Sequence, residues 1–205
     1  MATAPVTEIN NVSNDAEFTI DMSVPYTAFI KVKGVSPFIF HRWSVEDVAA
    51  KGAAAKGSKA KKEDNLESYV YRDAKGILSI PGEYFRMSII HAARYKQDPR
   101  SPRKSAMDLF KAGIAVLEEY CPLGFKEWDY VDRRRVVVQR NGITRARPTM
   151  REGWECKVQL EVLTPEYISQ ALLNETVAMA GRLIGVGDFR PSFGRFQVVD
   201  FKTTR

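Results

Sequence analysis

The sequence is poor in the residues that carry most enzyme chemistry. Its 205 residues hold two histidines, His41 and His91, and two cysteines, Cys121 and Cys156. The cysteines stand far apart with no Cys-x-x-Cys pair, which offers neither a disulfide framework nor a zinc site and fits a reducing cytoplasm. Carboxylates are scattered without His-Glu-x-x-His or Asp-x-Asp spacing, so no metal and no cofactor is expected. No apolar run approaches the ~18 residues of a membrane span, so no membrane partner is expected either. The opening stretch "MATAPVTEINNVSNDAEF" lacks the charged-then-apolar order of a signal peptide. No internal repeat is visible.

What is present is basic charge, unevenly placed. The chain is 44% apolar, enough for a core, with a net charge of +6 and a pI of 9.3. Residues 1–24 carry only acids (Glu8, Asp15, Glu17, Asp21) and read as a flexible arm, or one that packs on a neighbouring subunit. Residues 49–65 hold five lysines (Lys51, Lys56, Lys59, Lys61, Lys62) without an apolar face, a mobile surface loop. Residues 133–151 hold seven arginines and no acid. Like charges at that density favour an anionic partner.

The pattern of the rest predicts an α+β fold. "YTAFIKVKGV" (26–35) alternates and is a strand with Ala28, Ile30 and Val32 inward. Residues 76–96 read as a strand fragment, a turn at Pro81 and a helix burying Phe85, Ile89, Ala92 and Ala93. "QDPRSPRKS" breaks that helix and adds Arg100, Arg103 and Lys104. Residues 112–123 read as a strand leaving Gly113. Asn141-Gly142 after Val136–Val138 predicts a hairpin turning on that pair. Residues 154–163 alternate as a strand. A helix is expected with Thr164 as N-cap, Pro165 in its first turn, and Ile168, Leu172, Val177 and Ala180 inward. A last strand covers 193–202. The order β–α–β–hairpin–β–α–β is that of a ferredoxin-like or RRM-like antiparallel sheet with helices on one face, carrying an inserted Arg-rich β-hairpin and a mobile Lys-rich loop. Single-stranded RNA commonly lies on the open face of such sheets.

Candidate contacts follow from residue chemistry. Between Gly181 and Phe201 four glycines mix with Arg182, Arg190 and Arg195 and with phenylalanines. Backbone at Gly185 and Gly187 can approach a phosphate closely, with unpaired N–H groups forming a nest, and Arg190 and Arg195 can pair with phosphates. Asp188 is suited to orient Arg190. Arg42 suits phosphate, and Trp43 either stacks a base or is a buried anchor. Lys56, Lys59, Lys61 and Lys62, with Arg133, Arg134, Arg135, Arg140, Arg145 and Arg147, supply sequence-independent phosphate contacts. Strand alternation sends Arg133 and Arg135 to one face and Arg134 to the other. Metal-free RNA cleavage needs an acid and a base, for which only His41 and His91 qualify.

Three stretches carry a family resemblance: "AFIKVKGVSPFIFHR", "SIPGEYFRMSIIHAAR" and "GVGDFRPSFGRFQVVDF". They resemble, in order, the first strand, the Pro-Gly-led first helix with its arginine, and the C-terminal glycine-rich loop and last strand of the RAMP superfamily. These are RRM-like proteins that include the backbone subunits of CRISPR effector complexes. The bulky "DFRPSF" departs from the family's loop, and the tail is also similar to small phage-encoded proteins. The resemblance implies one RAMP-like domain over 25–205 with insertions at about 44–75 and 124–151. It implies that Arg86 faces RNA, and that subunits assemble side by side along a single strand as a homo-oligomer or filament. The activity expected is non-catalytic, largely sequence-independent binding of single-stranded RNA or DNA, in a bacterial cytoplasm or that of an infected host. The alternatives are a metal-independent endoribonuclease using His41 and His91, and a protein-docking regulator or mimic of a CRISPR-type complex.

Overall fold

The computed structural model describes residues 24–45, 49, 52–53, 65–138 and 141–204. The acidic arm, Lys56, Lys59, Lys61, Lys62 and Arg140 lie outside the described residues.

The strands are β1 (Tyr26–Gly34), β2 (Phe38–Ile39), β3 (Tyr71–Arg72), β4 (Leu78–Pro81), β5 (Gln97–Asp98), β6 (Ser101–Ser105), β7 (Ile114–Val116), β8 (Tyr120–Pro122), β9 (Tyr130–Val138), β10 (Asn141–Met150), β11 (Glu155–Val162) and β12 (Phe196–Thr204). The described α-helices are α1 (Gly82–Ala93), α2 (Met107–Gly113) and α3 (Gln170–Leu183). The result is an α+β chain with several antiparallel sheets.

Strand β1 lies at the heart of a four-stranded sheet of order β12-β1-β11-β7, antiparallel at every step. Its alternation works as expected. Tyr26, Ala28, Ile30 and Val32 are buried with Val158, Leu160 and Val162 of β11. Helices α1 and α3 pack on each other over this core through Phe85, Ile89, Ala92, Ala93, Leu173, Val177 and Ala180. The opposite face exposes Phe29, and three of its lysines are laced to acids: Lys31 and Lys33 to Glu155, Lys202 to Asp200. Smaller sheets of order β2-β10-β9 and β3-β4-β8, and the ribbon β5–β6, complete the chain.

Three local expectations shift. Helix α3 starts at Gln170 with Ser169 as N-cap, its hydroxyl accepting from Leu172 N–H. The carbonyl of Thr164 instead accepts from Tyr167 and Ile168, a separate turn that drives Ile168 into the core against Gly113. A helix begun at Thr164 would forfeit that burial. The hairpin does not turn on Asn141-Gly142, because Asn141 pairs with Val138 and Gly142 with Val137. Nine cross-strand pairs and the β2 pairing at Thr149 and Met150 set the register, which outweighs a two-residue turn preference. The strand expected over 112–123 is split. Gly113 ends α2, β7 is three residues long, and β8 joins a different sheet beside β4.

Candidate nucleic-acid interface

The glycine-rich loop follows α3 and lies flat on β2. Gly187 has φ +82°, and a Cβ there would meet the Phe38 ring at 2.6 Å and Ile39 O at 2.8 Å. Asp188 N–H donates to Ile39 O and Gly194 N–H to Pro37 O. The expected nest of free N–H groups is largely used up. Gly185 donates to Ala180 O, Val186 to Gly194 O, Phe189 to the Asp188 carboxylate and Arg195 to Ser36 Oγ. Gly187 therefore serves close packing of loop on strand, Gly185 and Gly194 serve close packing within the loop, and what the loop presents outward is side chains.

Those side chains meet the hairpin. Phe189 and Phe193, the bulky part of the loop, flank Arg134, whose guanidinium carbon is 4.6 and 4.5 Å from the two ring centroids. Asp132, one residue before the acid-free run, holds the same guanidinium through two hydrogen bonds. On the neighbouring strand Arg147 is almost fully buried, stacks on Tyr69 at 4.5 Å and donates from Nε to Asp188 at 3.2 Å. Asp188 thus holds Arg147, and also His41 Nδ1 at 3.6 Å, where the sequence suggested Arg190.

Arginines of one composition therefore have different fates. Arg147, buried, and Arg134, half-buried, are both engaged by other residues of the chain. Arg86 is as well: Nε donates to Ile114 O, Nη2 to Lys111 O and Nη1 to Glu83, tying α1 to the carbonyls that end α2. Arg145 is half-buried and near enough to His41 to lower its pKa. Arg133 and Arg135 project from the outer face of β9, exposed and in no ion pair among the described residues. Arg195 is exposed in a separate groove beside Val35 and Arg182.

Between α1 and the glycine-rich loop is a cleft of two adjoining cavities. One, about 360 Å³, is lined by His41, Tyr84, Met87, His91, Gly187, Asp188 and Arg190. The other, about 410 Å³, shares His91, Gly187, Asp188 and Arg190 and adds Leu183, Ile184, Phe189 and Pro191. Burial pushes the His41 imidazole below its ordinary 6.5 and Arg147 adds to this, while Asp188 opposes. His91 is lowered by burial and then by Arg190 and Arg94. Tyr84 shares a hydrogen bond with Tyr71 at 3.1 Å, and burial raises its pKa well above the ordinary 10. Beyond His41 the chain turns outward. Arg42 lies over the Tyr71 ring at 5.9 Å, and Trp43 is 71% exposed, so it is no buried anchor.

Sequence reasoning missed Tyr84, Met87 and the organising role of Asp188. A signal existed for the first two: Tyr84, Met87 and His91 stand at i, i+3 and i+7 and share one face of α1. Asp188 had none, because its partner Arg147 is 41 residues away. Among the described residues no group of three or more His, Cys, Asp or Glu is placed to hold a metal, and no helix is long and apolar enough to cross a membrane.

Among solved structures, the chain is similar to one in the cryo-EM structure of the Type III-B Cmr-beta bound to cognate target RNA. The match has 6% identity and a TM-score of 0.54, over 88% of this chain and 61% of that one. This chain therefore spans about three fifths of that one's length. It is also similar to Cmr6 from Pyrococcus furiosus, at 11% identity and TM-score 0.45, over 86% and 98% of the two chains. No protein-family model and no curated protein matches. The first likeness is one of fold alone.

Proposed function

We propose that the chain binds single-stranded RNA along its sugar-phosphate backbone, with little sequence preference and without cutting it. One observation carries this. The cleft between α1 and the glycine-rich loop sets Arg190 and two imidazoles on its walls, and the next residues after His41, Arg42 and Trp43, stand exposed beside it. Groups suited to phosphate and a group suited to stacking a base are thereby in one place. The nearest acid, Asp188, is already engaged by Arg147 and does not repel an incoming phosphate as a free carboxylate would. RNA rather than DNA is favoured because the fold is shared with a chain of a complex bound to cognate target RNA.

The sheet order supports a ferredoxin-like core. Numbered along the chain within that sheet, β12-β1-β11-β7 reads 4-1-3-2, with α1 and α3 as the crossovers and the β9–β10 hairpin as an insertion. Side-by-side assembly along the strand, with the outer face of the hairpin reaching a neighbour, belongs to the same proposal. Fluorescence anisotropy with labelled single-stranded RNA, single-stranded DNA and duplex, each at low and high salt, tests it. Salt-sensitive binding to single strands supports the reading. Absence of binding at low salt rejects it and favours docking to an acidic protein partner.

A second reading has its own observation: the structure lines one cavity with both His41 and His91. Both imidazoles are shifted toward the neutral form at pH 7. One would take the proton of a ribose 2′-OH as that oxygen attacks the adjacent phosphorus. The other, protonated, would give a proton to the departing 5′-oxygen, leaving a 2′,3′-cyclic phosphate. Incubation of unaltered protein with RNA in chelator decides this. Cleavage that disappears in both His41→Ala and His91→Ala establishes the nuclease, and intact RNA leaves the binding protein.

A further inference from the structure

Past the cleft, helix α1 ends at Arg94 and the chain enters the ribbon β5–β6, whose outer residues 102–105 are all exposed. The ribbon is held firmly. Ala106 N–H donates to Lys96 O at 2.8 Å, and Gln97 Nε2 donates to Pro102 O at 3.0 Å. Its cations sort into two groups. Lys96 is taken by Glu175 at 2.7 Å. Arg100 is taken by the buried Asp98 at 2.8 Å and lies over the Tyr167 ring at 5.6 Å. Arg94, Arg103 and Lys104 are exposed and in no ion pair among the described residues. Of the acids near this region, Asp98 and Glu175 are each held by another cation, and the exposed Asp108 acts on Arg100. Tyr95 adds an aromatic ring that is 59% exposed.

Resting on the RNA-binding reading above, we infer that the strand leaves the cleft along the end of α1 and crosses the β5–β6 ribbon, where Arg94, Arg103 and Lys104 hold its phosphates and Tyr95 offers a stacking surface. Continuity with the cleft is the main support. His91 lines both cavities, and Arg94 is one helical turn further on the same face. The His91 imidazole is lowered first by burial and then by the charges of Arg190 and Arg94. The open face of the four-stranded sheet is the contrasting surface, since Lys31, Lys33 and Lys202 are paired there with Glu155 and Asp200. The protein then reads a longer stretch of strand than the cleft alone accommodates, and the extension is sequence-independent because it rests on phosphate.

The test compares the unaltered chain, a ribbon triple (Arg94→Ala, Arg103→Ala, Lys104→Ala) and a charge-matched sheet-face triple (Lys31→Ala, Lys33→Ala, Lys202→Ala). All substituted side chains are at the surface, and thermal melting checks that each variant folds. Affinity is measured by anisotropy against salt, on single-stranded RNAs from about 8 to 30 nucleotides. Three lost phosphate contacts make the log–log salt slope shallower by about 2. In the ribbon triple that change is expected, and the gain in affinity with strand length should end at a shorter RNA. The sheet-face triple should keep the parent slope. Binding by the ribbon triple with unchanged slope and length dependence overturns the ribbon path and leaves the RNA-binding reading intact. An equal loss in both triples also overturns it, since net charge alone then explains the effect. No binding by the unaltered chain overturns both readings together.

Discussion

Arg134 stacks on Phe193, its guanidinium carbon 4.5 Å from the ring centroid. Phe189 takes the other contact at 4.6 Å and Asp132 fixes the charge, so one arginine fastens the hairpin to the glycine-rich loop. Replacing Arg134 by Ala removes two cation–π contacts and strands Asp132, at a cost of about 2 kcal/mol, or roughly 4–8 °C in melting temperature. Amide exchange over residues 185–194 should speed up in the variant. Unchanged exchange there would show that the loop is held by β2 alone.

Arg133 and Arg135 are expected to behave in the opposite way. Both are exposed and unpaired among the described residues, so alanine at both positions leaves stability unchanged. The loss appears in binding, as a log–log salt slope shallower by about 1.4 for two single-strand phosphate contacts. Equal affinity at every salt concentration would remove the hairpin from the interface.

Trp43 offers a test independent of charge. Because it is 71% exposed, Trp43→Ala should shift stability by no more than about 0.5 kcal/mol. If the indole stacks a base, affinity for single-stranded RNA falls by about 1–3 kcal/mol with little change in salt slope. Quenching of tryptophan fluorescence on binding, lost in the variant, gives a second readout.

Gly187→Ala tests how tightly the loop is laid on β2. The backbone is at φ +82° and the new methyl would be forced onto Phe38 and Ile39 O. The expected cost is about 2 kcal/mol or more, read as a lower denaturation midpoint. A variant as stable as the parent would show that the loop can lift without penalty.

Binding should strengthen as pH falls from about 7.5 toward 6. Both cleft histidines have pKa values lowered from 6.5 by burial and neighbouring arginines. A phosphate in the cleft raises them, so the complex binds more protons than the free protein, and acid favours it. Stability of the free protein runs the other way. The unfolded chain binds protons at 6.5 while the folded histidines resist them, so native stability declines as pH drops through that value. Isothermal titration in two buffers of different ionisation enthalpy should detect proton uptake, and the His41→Ala, His91→Ala pair should abolish it. Binding that is flat with pH would place the phosphate away from the cleft.

Much of the frame was legible in the sequence because it is local. The alternation of Tyr26–Gly34 and Glu155–Val162, the helical spacing of Phe85, Ile89 and Ala93, and the density of glycine after Leu183 each announce an element from neighbours within a few residues. Helix α2 and the split of residues 112–123 were not legible. Seven-residue or shorter elements leave little periodicity to read. The turn of the hairpin was misplaced for a related reason: its register is settled at the far end, by β2.

The sequence by itself determined that the chain is basic, that its core is one half of an alternating sheet and that its arginines cluster between residues 133 and 151. It could not say which arginines are available, because all carry the same charge. Tertiary structure made that division. Asp188, 41 residues from Arg147 in the chain, holds the buried Arg147, and Phe189 and Phe193 engage the half-buried Arg134, leaving Arg133, Arg135 and Arg190 exposed at the surface. The same folding brought His41 and His91 onto one cavity, since a cleft forms between elements distant in sequence and has no local signature.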